Sequence, residues 1–185
     1  MFNLAAFTMT FTTLLLAELG DKTQLTAIAL ASRGNPLKVF AGCSVGFLLI
    51  NLIAVVAGGI ARSCMPIEYV KLFSAAILIA SGILAFKSGE AEVLGIEGGF
   101  FQALLLTGSM ELGDKTNLAT TAISALTGSP LEVLLGLVTS TIVLMGSAVT
   151  LGVQVAKRMS RRSLRLFSAS IFVITGLAIL VEELL

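Results

Sequence analysis

The sequence predicts an all-α membrane protein, six transmembrane helices arranged as two inverted three-helix repeats. Three observations carry this reading. The 185 residues are 56% hydrophobic and 12% charged, with a mean hydropathy of +1.01, whereas a soluble domain is about 25% charged. Six apolar segments can be marked, at 4–31, 36–61, 68–87, 99–126, 131–156 and 165–182, each near or above the roughly 20 residues a helix needs to cross a bilayer core. The stretch Glu18-Leu19-Gly20-Asp21-Lys22-Thr23 returns as Glu111-Leu112-Gly113-Asp114-Lys115-Thr116.

The first and fourth segments are long and carry these motifs. Each motif sets three ionisable groups inside apolar sequence. A charged residue near the centre of a membrane helix costs about 2.5–3.5 kcal/mol, so the groups of both motifs, unpaired, would cost on the order of 15–20 kcal/mol. They must face one another, water or an ion. Gly20 and Gly113, with small or polar residues just ahead, allow a strongly tilted helix or a break of the kind that lines cavities in transporters.

The breaks between segments are short. Ser32-Arg33-Gly34-Asn35-Pro36 ends the first and Thr127-Gly128-Ser129-Pro130 the fourth, each a Gly followed by a Pro that restarts a helix. The acidic, Gly-rich stretch 88–98 divides the chain into a first three-helix repeat, 1–87, and a second, 99–185. Glu18 and Asp21 match Glu111 and Asp114 at an offset of 93, and beyond the first loop the offset is 94, pairing Pro36 with Pro130, Gly42 with Gly136 and Gly58 with Gly152. Lys71-Leu72-Phe73-Ser74-Ala75 then matches Arg165-Leu166-Phe167-Ser168-Ala169, with Ile77 against Ile171 and Gly82 against Gly176. An odd number of spans per repeat makes the second copy enter from the opposite side.

Charge sets the sidedness. Loops after the first, third and fifth spans carry Arg33, Lys38, Lys87, Lys157, Arg158, Arg161, Arg162 and Arg165, while the other loops and the termini carry only Arg62 and Lys71. The basic set is therefore expected in the cytoplasm and both termini outside. The run 157–165 is explained by this topology, with anionic lipid as a secondary reading. Met1-Phe2-Asn3 offers no basic leader region, so the first span is expected to be retained. Cys43 and Cys64 are read as small packing residues, roughly 30 Å apart on one helix and too far for a bridge. There is no Trp for an interfacial belt. A net charge of +1 gives no reason to expect a nucleic acid partner. Lipid is the expected surroundings, and assembly as a homo-oligomer is left open.

With no His in the chain, proton or metal chemistry falls to carboxylates, hydroxyls, amides or lysines. On a continuous helix Glu18 and Asp21 share a face, flanked by Leu14 and Leu25, with Lys22 beside Glu18, and the same holds for Glu111, Asp114 and Lys115. Inverted symmetry would bring the four carboxylates together near the midplane, with neutral oxygens from Thr23, Gln24, Thr116 and Asn117 one step along. An all-oxygen set suits Ca²⁺, Mg²⁺ or Mn²⁺ and argues against Zn²⁺ or Cu⁺. Fully ionised, the four carboxylates and two lysines leave a charge of −2, which one divalent ion neutralises and which protons can replace. Competition between metal and protons for one site is the physical basis of exchange. The lysines have several readings: tuning the carboxylates by pairing with them, filling the site as tethered cations when metal leaves, or bridging two helices structurally. Asn51, Gln102, Ser44, Thr139, Ser140 and Thr141 are read as packing groups.

The doubled motif on the first helix of each repeat resembles the Gdt1 family, also called uncharacterised protein family 0016, over essentially the whole chain. The resemblance implies a transporter of Mn²⁺ or Ca²⁺ exchanging against protons, not an enzyme, with no cofactor. It places the metal positions at Glu18, Asp21, Glu111 and Asp114, with Lys22, Lys115, Thr23 and Thr116 on the family's Lys and Thr positions. The chain lacks the longer N-terminal region and central loop of eukaryotic members, so the implied role is Mn²⁺ export across a prokaryotic plasma membrane. A passive cation channel is the nearest alternative in physics. An intramembrane enzyme is more distant, since position 18 is Glu where an aspartyl protease motif has Gly, and no Arg or His lies in a span to meet a phosphate.

Overall fold

The computed structural model describes residues 2–32, 34–87, 98–155, 170, 173–174 and 176–181, and every regular element among them is helical. The first apolar segment is two helices, α1 (Leu4–Glu18) and α2 (Lys22–Ala31), bent by 66° where they meet. Next come α3 (Pro36–Cys64) and α4 (Ile67–Lys87). The fourth segment is again divided, into α5 (Phe100–Glu111) and α6 (Lys115–Thr127), and α7 (Pro130–Val155) follows. Of the sixth segment, the described residues are helical. Most of the 88–98 stretch, Arg33, the basic run 157–165 and the match at 165–169 and Ile171 lie outside the described residues. Residues 36–64 and 130–150 each form a helix long and apolar enough to cross a membrane, and the bent α1–α2 pair passes as a third when taken together.

Local chemistry sets the helix ends. Asn35 accepts hydrogen bonds from the Leu37 and Lys38 N–H groups at 3.0 and 3.1 Å, ahead of Pro36 at the first helical position, which starts α3 firmly. Asn3 caps α1 and also bonds Ser129 and Glu132 beside the start of α7. Gln102, expected to pack, instead accepts from the Gly99 N–H at the start of α5. At the far end of α6, Arg62 of α3 donates to the Ala125 and Leu126 carbonyls, groups a helix C-terminus leaves without internal partners. Thr139, Ser140 and Thr141 donate to carbonyls of their own helix.

The broken helices pack crosswise. α5 and α6 lie against α3, and α1 and α2 against α7. Small residues allow these backbones to approach. A Cβ on Gly42 of α3 would meet the Phe100 carbonyl oxygen at 2.3 Å and Ala103 Cβ at 2.8 Å, and one on Gly136 of α7 would meet the Phe7 oxygen at 2.8 Å and Thr10 Cβ at 2.9 Å. Gly42 and Gly136, Phe7 and Phe100, and Thr10 and Ala103 are corresponding positions of the two motif-bearing halves, so the contacts are reciprocal. The core between these helices holds Leu14, Leu30, Val39, Phe47, Ile123 and Leu137. The outward side of α3 exposes Leu49, Ile53, Val56 and Ile60, an apolar surface suited to lipid. Cys43 is buried and fits the packing role, but Cys64, at the end of the same helix, is exposed and does not.

Gly42→Ala and Gly136→Ala should each lower stability by about 1–3 kcal/mol, because backbone stands where the methyl must go. Gly59→Ala, with nothing within 4 Å, should not lower it. Thermal melts in detergent check the contrast.

Candidate functional site

Both motifs are helix breaks. α1 ends at Glu18 and α2 begins at Lys22, while α5 ends at Glu111 and α6 begins at Lys115. The turns pass through Gly20 at φ 75° and Gly113 at φ 70°, a left-handed conformation that costs residues with a Cβ roughly 1–2 kcal/mol. The Asp21 N–H then donates to the Glu18 carbonyl at 3.0 Å and the Asp114 N–H to the Glu111 carbonyl at 3.1 Å. Glu18 and Asp21 therefore do not share the face of one continuous helix, and neither do Glu111 and Asp114. Each glutamate closes one helix and each aspartate opens the next.

The turns bring the two motifs against each other. Lys22 Nζ donates to Asp114 Oδ1 at 2.8 Å, and Lys115 Nζ pairs with Asp21 Oδ2. The Thr23 hydroxyl donates to Glu111 Oε1 at 2.6 Å, and the Thr116 hydroxyl to Glu18 Oε1. Every side-chain bond from one motif has its counterpart from the other. Lys22, expected beside Glu18, reaches across to the second motif because the chain turns immediately before it. Asp21 and Asp114 stand at N-cap positions in extended conformation, where Asp ordinarily bonds the N–H groups of its own helix, yet neither side chain does so.

These contacts leave oxygens over. Glu18 is 1% exposed and Glu111 fully buried. Glu18 Oε2, Glu111 Oε2 and Asp114 Oδ2 are buried without any hydrogen-bond partner. Such atoms are costly in an apolar interior, and a cation would satisfy them. One carboxylate oxygen from each of Glu18, Asp21 and Asp114 lies within 4.8 Å of the others, a cluster able to ligate one hard cation through oxygen alone. Glu111 is outside this group, and its free oxygen belongs to the facing turn.

The flanking amides differ between the motifs. Gln24 Oε1 accepts from the Gly20 N–H at 2.5 Å and its Nε2 donates to Ser147 on α7 at 3.2 Å, so this amide oxygen steadies the first break. Asn117, its counterpart, donates to the Ile50 carbonyl of α3 at 3.2 Å. Asn51 is more than packing: its Oδ1 accepts from Thr120 at 3.1 Å and its Nδ2 donates to the Phe47 carbonyl, anchoring α6 one turn beyond Thr116. Ser147 and Thr120 were not singled out by the sequence. A lone hydroxyl residue in an apolar run has no pattern, although the spacing of Thr116 and Thr120 on one helical face could have suggested the latter.

A family profile described as divalent cation/proton antiporter GDT1 matches residues 6–93 and 99–185. A Vibrio cholerae protein named "Putative manganese exporter" is 26% identical over 180 residues, 95% of this chain and 90% of its own length. Two GDT1-like proteins of Schizosaccharomyces pombe are 29% and 31% identical over 84 residues, 45% of this chain and 32% and 28% of their lengths. No solved structure matches significantly.

Thr23→Val should cost about 1–3 kcal/mol, since it removes the donor from a buried carboxylate. Thr12→Val, at an exposed hydroxyl that bonds only its own helix, should stay within about 0.5 kcal/mol. The difference is read from thermal melts of the two variants.

Proposed function

From the GDT1 family of divalent cation/proton antiporters, to which this chain belongs, we propose that it exports Mn²⁺ across the plasma membrane in exchange for protons, with Ca²⁺ as the second candidate substrate. The observation that carries the site assignment is the set of buried, unpartnered carboxylate oxygens contributed by both motifs. Glu18, Asp21, Glu111 and Asp114 are the proposed ligands, with Thr23 and Thr116 holding the glutamates. Lys22, Lys115, Gln24 and Asn117 support the site. The choice of Mn²⁺ rests on the name of the Vibrio relative and on an oxygen-only ligand set, which Mn²⁺ and Ca²⁺ both accept.

The mechanism follows from charge and from the broken helices. Fully ionised, the four carboxylates and two lysines carry −2, and one divalent ion brings the site to neutrality. When the ion leaves, two protons do the same, so metal and protons occupy the site in alternation. The proposed architecture is six spans in two inverted repeats, 1–87 and 99–185, joined by 88–98. Reciprocal contacts at the motifs and at Gly42 and Gly136 support it. Such repeats offer two related arrangements around one midplane site, one open to each side. The charge asymmetry of the loops supports a cytoplasmic basic side and external termini.

Purified protein in proteoliposomes tests this. Mn²⁺ flux should respond to an imposed pH gradient, and Glu18→Gln or Glu111→Gln should reduce it to background. Flux indifferent to the gradient, or unchanged in both variants, contradicts the proposal. The ratio of Mn²⁺ to Ca²⁺ flux names the substrate.

A further inference from the structure

Resting on the reading above, we propose that Lys22 and Lys115 are tethered counter-cations. Each ammonium sits on the aspartate of the opposite motif while no divalent ion is bound, and the arriving ion displaces it.

Asp21 and Asp114 both occupy N-cap positions and neither caps its own helix; each instead holds the lysine of the other motif. The same two aspartates, with Glu18, form the group of oxygens within 4.8 Å of one another. Ammonium and divalent ion therefore compete for the same carboxylates. The glutamates are treated differently. They are held by threonine hydroxyls, which are neutral and do not compete with a cation. Each glutamate also keeps one oxygen free. The site thus divides into two carboxylates held ready and two covered by a replaceable positive charge.

The residue type fits this role. Lysine carries a compact charge on a flexible four-carbon stem and makes single contacts, whereas arginine would grip a carboxylate bidentately. Lys22 takes Asp114 Oδ1 and leaves Oδ2 buried without a partner, so the ion has a foothold before the ammonium departs. The two pairs are unequally covered, Lys22 being 31% exposed and Lys115 only 9%. Lys22 is accordingly the first to be displaced in this conformation. The function of the pairs is to keep the metal-free carrier from holding four uncompensated carboxylates, at the expense of metal affinity, so that the ion is released and the empty carrier can return.

A purely structural bridge makes the opposite prediction, since removing it would loosen the breaks and weaken metal binding. Equilibrium Mn²⁺ binding and proteoliposome flux should be measured on the wild type, Lys22→Gln, Lys115→Gln and Lys22→Arg. Loss of either ammonium should tighten Mn²⁺ binding roughly threefold to tenfold while turnover falls. Lys22→Arg should not tighten it. A second measurement needs only the wild type: acetic anhydride footprinting read by mass spectrometry should show Lys22 acetylated faster when Mn²⁺ is present. Glutamine variants that bind Mn²⁺ equally or more weakly, or a Lys22 footprint that Mn²⁺ leaves unchanged or reduces, overturn this inference alone. A wild type that neither binds nor carries Mn²⁺ overturns the functional reading beneath it.

Discussion

An ionised side chain in an apolar span must find an opposite charge, a hydrogen-bond donor or an ion, and the rest of this molecule answers that requirement. On one continuous helix the single ammonium of Lys22 would have two carboxylates to balance, Glu18 and Asp21, and the same holds in the second motif. The chain turns at Gly20 and Gly113, and the turn aims each motif's lysine and threonine at the other motif's carboxylates. The partnering is nearly complete. The few oxygens left without a partner come from both motifs, so the same constraint that shapes the fold also gathers the carboxylates proposed as ligands.

The crosswise packing keeps the two turns facing each other. α3 carries α5 and α6, and α7 carries α1 and α2, so each broken helix is braced by the long helix of the other half. Gly42 and Gly136 let the first half-helices approach closely. Asn51, Asn117, Gln24 and Ser147 then add polar ties near the turns. The ties differ between the halves: Gln24 binds the first turn to α7, while Leu112 and Gly113 of the second turn stand exposed. The two motifs are chemically alike but not equally covered.

Much of this was legible in the residues. The starts of α3 and α7 fall where the sequence places them because Asn35-Pro36 and Gly128-Ser129-Pro130 are strong local stop and start signals. The candidate carboxylates were legible because duplicated acids in apolar sequence demand a reason. Whether the chain breaks or merely tilts at Gly20 was not legible, since glycine is tolerated inside membrane helices as well as at turns. From that ambiguity came the mistaken shared face of Glu18 and Asp21 and the misplaced partner of Lys22. Both assumed helical spacing through a residue that takes a positive φ. The role of Gln24 was equally hidden, because its partners are a backbone N–H exposed only by the break and a serine on a distant helix.

The central claim is that the two motifs form one shared site and not two separate ones. The stoichiometry of Mn²⁺ on the purified chain tests it most directly, measured by equilibrium binding for the wild type and for variants altered at Glu18 or Glu111 alone. The account predicts one ion per chain, lost when either glutamate is replaced. Two ions per chain, or one that survives the loss of either glutamate, would contradict it.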